Sequence, residues 1–221
     1  MRIFIAQTRI KAAAPEANFK SIEAAVAQAG KESAELVVFP EMALPGYFIG
    51  DIWERPSFLK ACEEFNQRIA ALSGSAPVIF GSVGIDPSKR NEDGRVRKFN
   101  AAFVAQNGRL LGNPALNMPF WPKTLMPNYR EFDDSRHFYD LRKLALERGV
   151  PLEQLLSIVH LTLKSGQTLR IAVGICEDAW SDDYHAHPYE ILARTAQPDL
   201  IVNLSCSPYT AGKHVKRRKL F

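Results

Sequence analysis

Along the chain, short apolar runs with the character of strands alternate with segments whose apolar residues recur every three or four positions. Residues 2–5 read as a strand. From 15 to about 33, Phe19, Ile22, Val26 and Ala29 fall on one face of a helix opened by Pro15, and residues 36–39 form a continuous apolar strand closed by Pro40. That is a β-α-β unit. Residues 56–72 repeat the helical spacing through Phe58, Leu59, Cys62, Phe65, Ile69 and Leu72, and 77–83 supply another buried strand. Residues 99–105 and 109–111 flank Asn107-Gly108, a pair suited to the positive φ of a tight hairpin, so the expected sheet is mixed. A strand at 169–173, a helix at 188–196, a strand at 200–204 and a helix from about Gly212 complete the pattern. Between them, the leucines of 138–167 predict two short helices around Gly149-Val150-Pro151, an insertion within a single α/β domain spanning 1–221.

Composition and charge narrow the function classes. The 221 residues are 46% hydrophobic and 24% charged, ordinary values for a folded globular domain. No run approaches the roughly 18 apolar residues of a membrane span, and the N-terminus lacks the apolar core of a secretory signal, so the cytoplasm is the expected location. Three cysteines, Cys62, Cys176 and Cys206, are too few for a disulfide framework and read as reduced thiols. The net charge of +4 is local: Lys213, Lys216, Arg217, Arg218 and Lys219 lie together at the end, behind 23 basic and 24 acidic residues. Without interleaved aromatics, that basic run reads as the wet face of a helix and not as a nucleic-acid site.

Three apolar strands run into turns that carry reactive side chains: VVFPEMALPGY with Glu41, NMPFWPKTLMPNYREF with Lys123, and IAVGICEDAW with Cys176. Strand ends are where loops from distant parts of an α/β chain converge. A thiol needs a base to become a good nucleophile, and Glu41 is the candidate base; a fixed ammonium such as Lys123 stabilises the negative charge that grows on a carbonyl oxygen under attack. Taken singly, each residue also has a plain structural reading: Cys176 as a small core residue, Glu41 as a turn cap, and Lys123 as a surface charge with its stem on Trp121. His185 and His187, with Asp182 and Asp183 nearby, have metal-like residue types but lack a third ligand at usual spacing, so no metal site is expected. P-loop, dinucleotide and serine-elbow motifs are absent from the sequence.

Taken together, the three motifs resemble the nitrilase superfamily of carbon–nitrogen hydrolases, whose catalytic Glu, Lys and Cys occur in this order in a PE-x-x-x-x-GY stretch, before an apolar-proline turn, and in G-x-C-E-D. KTLMPNYREFDDSRHF and NLSCSPYTAGK are most similar to the glutaminase domains of glutamine-dependent NAD synthetases. The resemblance implies a nitrilase-type α-β-β-α sandwich with mixed sheets, completed by sheet pairing between subunits, and a homo-oligomer. It implies Glu41, Lys123 and Cys176 as catalytic residues and glutamine as the substrate amide. Tyr129 and Phe132 would lie on the pocket wall and Tyr47 at its mouth. Glu177 would meet the substrate ammonium, with Ser207 and Lys213 near its α-amino and carboxylate groups. Asp134 stands where that branch has Glu. No cofactor is implied in this domain; ATP and magnesium belong to a ligase domain, the implied partner, which this sequence does not contain, and the resemblance implies further strands beyond residue 221. A different small amide, a non-catalytic assembly role and, least of all, nucleic-acid binding are the competing readings.

Overall fold

Pro15 and Pro56 each open a 17-residue helix, at a position where the missing N–H has no partner to lose: α1 (Pro15–Lys31) and α2 (Pro56–Leu72). The computed structural model describes residues 1–74 and 76–220. The two helices bury Phe19, Ile22, Leu59, Cys62 and Ile69 against one face of a six-stranded sheet, where they meet Val37, Phe80, Phe99 and Phe103. In that sheet β1 (Ile3–Ile5), β2 (Leu36–Val38) and β3 (Val78–Arg90) run parallel, and β4 (Val96–Gln106) returns antiparallel to β3. Two short strands, β5 (Arg109–Leu110) and β6 (Trp121–Pro122), both pair with β4. Asn107 and Gly108, at φ +54° and +78°, make the expected tight turn between β4 and β5.

A second sheet packs on the opposite face. It pairs β7 (Ile158–Thr162) antiparallel with β8 (Thr168–Ile175), and β8 parallel with β9 (Leu200–Leu204). Leu36, Ile79, Ala102, Val104 and Trp121 from the first sheet meet Val159, Leu161, Ile171, Val173 and Val202 from the second, in a dry layer between them. On the outer face of β8 lies α5 (Pro188–Ala196). Its Tyr189 fills the space that a side chain at Gly174 would need, with the phenol oxygen 2.3 Å from an ideal Cβ position. The order of layers is therefore α-β-β-α.

Two stretches differ from the sequence reading. The hairpin of β3 and β4 continues well past the apolar core, to Arg90 and back from Val96, because backbone pairing persists where the side chains have become polar. Within 138–167 there is one helix, α4 (Leu141–Arg148), begun by the Asp140 side chain accepting from Lys143 N at 2.8 Å and ended by Gly149 at φ +64°. A single 3-10 turn (Leu152–Gln154) follows, and then β7, a full member of the second sheet. Val159 and Leu161 point inward between outward His160 and Thr162, a period of two that the neighbouring leucines obscure. The remaining helices are α3 (Asp134–His137) and α6 (Lys213–Leu220). Among the described residues, no helix is long and apolar enough to cross a membrane.

Candidate active site

Three strand ends bring Glu41, Lys123 and Cys176 to one place. Beyond β2 the chain folds back onto β3 at Gly81, whose N–H donates to Pro40 O at 3.1 Å. A Cβ at Gly81 would lie 2.5–2.6 Å from Pro40 O, Glu41 Cα and Met42 N, so only glycine lets the turn settle that close. Lys123 follows β6; its N–H donates to Asn100 O on β4 at 2.8 Å and its carbonyl accepts from Leu141 N at 3.1 Å. Cys176 follows β8 at φ +44°, a left-handed conformation uncommon for a non-glycine residue, and opens a 3-10 turn (Cys176–Ala179). Asp178 ties the last two turns together. Its carboxylate accepts from Thr124 N (3.0 Å) and Leu125 N (2.8 Å) on the lysine loop and from Ile175 N (2.9 Å) beside the cysteine.

Glu41 and Lys123 are both fully buried and paired at 2.8 Å. The lysine ammonium also donates to Asp134 Oδ2 at 2.9 Å and to Tyr47 OH at 3.3 Å, and Tyr47 OH donates to Asp134 Oδ1 at 2.7 Å. Glu41 receives two more donors, Asn100 Nδ2 on Oε1 at 2.8 Å and Cys206 N on Oε2 at 2.9 Å. Burial alone would strip the Lys123 charge, but Glu41 and Asp134 outweigh it and hold the ammonium well above its ordinary pKa. The Cys176 thiol, almost wholly buried, is pushed up to about 12, first by burial and then by the Glu41 carboxylate, with Lys123 and the Ser205 hydroxyl acting in the opposite sense. The thiol form of Cys176 is thus favoured beside the Glu41–Lys123 pair. Ser205 Oγ lies 3.5 Å from the sulfur and 3.3 Å from Ser207 Oγ.

The other sequence-derived candidates divide around this centre. Glu177, next to the thiol and 5% exposed, accepts from Tyr129 OH at 3.1 Å and Tyr184 OH at 3.0 Å, and burial raises its carboxyl above the usual range. Phe132 packs its ring 5.7 Å from that of Tyr129 and 5.9 Å from that of Tyr47. Lys213 begins α6, donates to Pro208 O at 2.9 Å and places its ammonium 5.7 Å from the centre of the Trp180 ring; burial, then the neighbouring Arg217 charge, lowers its pKa. Ser207 accepts from Arg217 at 2.7 Å. Tyr47 is mostly buried. Its hydroxyl is drawn inward by Asp134 and Lys123, and the half-exposed Phe48, stacked on it at 4.9 Å, takes the outer position. His187 of the histidine pair sits 3.2 Å from Ser181 Oγ, and among the described residues no group of three or more His, Cys, Asp or Glu side chains is arranged to hold a metal ion.

Asn100, Asp134 and Ser205 touch the reactive groups, Asp178 holds the backbone of the turns that carry two of them, and Tyr184 reaches Glu177, yet the sequence analysis assigned none of them a catalytic or binding role. For Asp134 a signal was present, since it stands 11 positions after Lys123 in a motif already singled out. Asn100 carries no such signal, being 59 residues from its partner Glu41.

Comparison with known proteins places the chain in a family. A carbon-nitrogen hydrolase family model matches residues 2–186. Curated relatives include the glutamine-dependent NAD(+) synthetases of Thermotoga maritima, 32% identical over 99% of this chain and 32% of the relative, and of Xanthomonas campestris pv. campestris, 34% identical over 100% and 34%. The chain thus spans about a third of the length of these relatives. Among solved structures, a glutamine-dependent NAD+ synthetase from Acinetobacter baumannii superposes with a TM-score of 0.70 at 25% identity, over 98% of this chain and 34% of that one. An amidase from Nesterenkonia sp. shares the fold at a TM-score of 0.64 and 17% identity, over 97% and 68%. With its family model covering most of the sequence and its three strand-end side chains in one buried cluster, the chain belongs to the carbon-nitrogen hydrolase family.

Proposed function

We propose that this chain hydrolyses the side-chain amide of glutamine through a thioester on Cys176 and supplies the ammonia to an NAD-forming ligase domain, as the names of its relatives suggest. The observation that carries the reading is Lys123, a buried ammonium clamped between Glu41 and Asp134 beside a thiol. Attack forms the S–C bond while the thiol proton passes to Glu41 and the carbonyl π electrons move onto oxygen, where the Lys123 ammonium stabilises them. Collapse breaks the C–N bond, and Glu41 returns the proton to the departing ammonia. Water then gives a proton to Glu41 and attacks the thioester carbon; the sulfur leaves and recovers its proton, and glutamate is released. A thiol held un-ionised by burial suits this scheme, because its proton moves only as the new bond forms.

Recognition of a free amino acid supports glutamine over a simple amide. The ammonium and carboxylate of glutamine both need partners once removed from water. Glu177 offers a buried carboxylate whose partners, the Tyr129 and Tyr184 hydroxyls, are neutral, and Ser207 and Lys213 supply hydroxyl and ammonium donors for the other end. Ammonia release from glutamine, from aliphatic amides and from N-carbamoyl amines tests the assignment. Glutamine is expected to give the highest kcat/KM, and Cys176→Ala to abolish turnover with an unchanged unfolding midpoint; equal turnover of an aliphatic amide, or an active Cys176→Ala, contradicts it.

A further inference from the structure

The donors around Glu41 are unequally shared between its two oxygens. Oε1 accepts from Lys123 Nζ and from Asn100 Nδ2, each at 2.8 Å, which fills both in-plane lone-pair positions of that oxygen. Oε2 accepts from Cys206 N at 2.9 Å and from no second donor among the described residues, which keeps a position open. We propose that Asn100 is a positioning residue that closes Oε1, so that Oε2 is the atom that takes the proton from Cys176 and later returns it to ammonia. This rests on the glutaminase reading, with Glu41 as the base.

Two further observations converge on Asn100. It lies on β4, fully buried, and its backbone carbonyl accepts from Lys123 N at 2.8 Å, so one residue sets the placement of both the base and the ammonium. Its side-chain Oδ1 is also buried and finds no hydrogen-bond partner among the described residues. Turning the amide over would set that oxygen against the Glu41 carboxylate, acceptor to acceptor. The fold leaves Oδ1 unpaired in order to aim Nδ2 at the base. The other titratable and charged groups facing Glu41 are Lys123 after β6, Asp134 from α3, Tyr47 from its own loop, Cys176 after β8 and the Cys206 thiol after β9.

The test uses the 221-residue chain, with kcat and KM for glutamine measured against pH in wild type, Asn100→Leu, Asn100→Asp and, as reference, Glu41→Gln. Removing the amide donor makes the charged form of the base less favoured and opens Oε1 to the proton. The acid-side limb of kcat/KM is then expected to move up by about one pH unit in Asn100→Leu, and at least as far in the isosteric Asn100→Asp. In both, kcat is expected to fall about tenfold, with KM for glutamine unchanged. Should Asn100→Leu fail to fold, Asn100→Asp decides. An unmoved acid limb in a folded Asn100 variant overturns the proposal while the base assignment stands, provided Glu41→Gln is inactive; an active Glu41→Gln overturns the base assignment itself.

Discussion

Around Lys123 each buried charge has an opposite charge within 3 Å, whereas one residue after the thiol the Glu177 carboxylate meets only phenol hydroxyls. The first region is built from strand ends, with Gly81, Asn100 and Asp178 fixing the backbone around it. The second is assembled from loops and from the start of α6. Under the proposed function, the contrast separates two tasks. A base, an ammonium and a nucleophile must hold their geometry before anything binds, because rate depends on donors already aimed at the charge that develops. A recognition carboxylate gains specificity when the cation it lacks arrives with the substrate, since a ligand without that cation leaves it buried and unpaired.

Breaking the first region should cost most. Lys123→Met leaves Glu41 and Asp134 facing each other without a cation, and losing one partner of a buried ion pair costs about 3–5 kcal/mol. Chemical denaturation should show a drop in stability of that order, and ammonia release should be undetectable. A folded, active Lys123→Met would contradict the division of roles. Glu177→Gln acts on the other region: KM for glutamine should rise about tenfold to a hundredfold as the charge-assisted contact is lost, while the slow turnover of an aliphatic amide stays as in wild type. Equal losses on both substrates would place Glu177 in the chemistry and erase the contrast.

The Asp178 bridge sharpens the comparison through pH. Burial raises this carboxyl from an ordinary 3.8 to about 7, against the pull of three backbone N–H donors. Between those values the folded chain holds a proton that the unfolded chain has lost. The contribution to stability is therefore full below about pH 4 and is lost as pH rises through about 7. Thermal midpoints measured across that range should fall with rising pH, and Asp178→Asn should flatten part of the slope. A parallel curve in the variant would assign the slope to other groups. The smallest expected effect is that of Tyr184→Phe, which removes one of the two hydroxyls on Glu177 and should raise KM for glutamine only about threefold, as befits a single hydrogen bond.

The sequence made the reactive centre legible because its three strand-to-turn passages are local patterns: an apolar run, a proline or glycine, and then Glu41, Lys123 or Cys176. Their supports were not legible for a physical reason. Asn100 and Asp178 act through partners 59 and 53–54 residues away, and no periodicity encodes which strand end a distant amide or carboxylate will face. The depth of the Tyr47 hydroxyl was not legible because a GY pair after a turn says nothing of which of two adjacent aromatics turns inward, and here Asp134 decides it. The layered α/β fold followed from spacing, but β7 did not. Its five residues carry one inward pair, Val159 and Leu161, too brief a signal beside Leu152, Leu155 and Leu156, which suggested a helix.

The most direct measurement is to mix the chain with glutamine, quench in acid within the first turnover, and weigh the intact protein and its peptides. The expected result is a γ-glutamyl group bound to Cys176, lost on neutral incubation and never formed in Cys176→Ala. Steady ammonia release with no acyl group at any time, or with the group on another residue, would contradict a thioester formed at the meeting point of Glu41, Lys123 and Cys176.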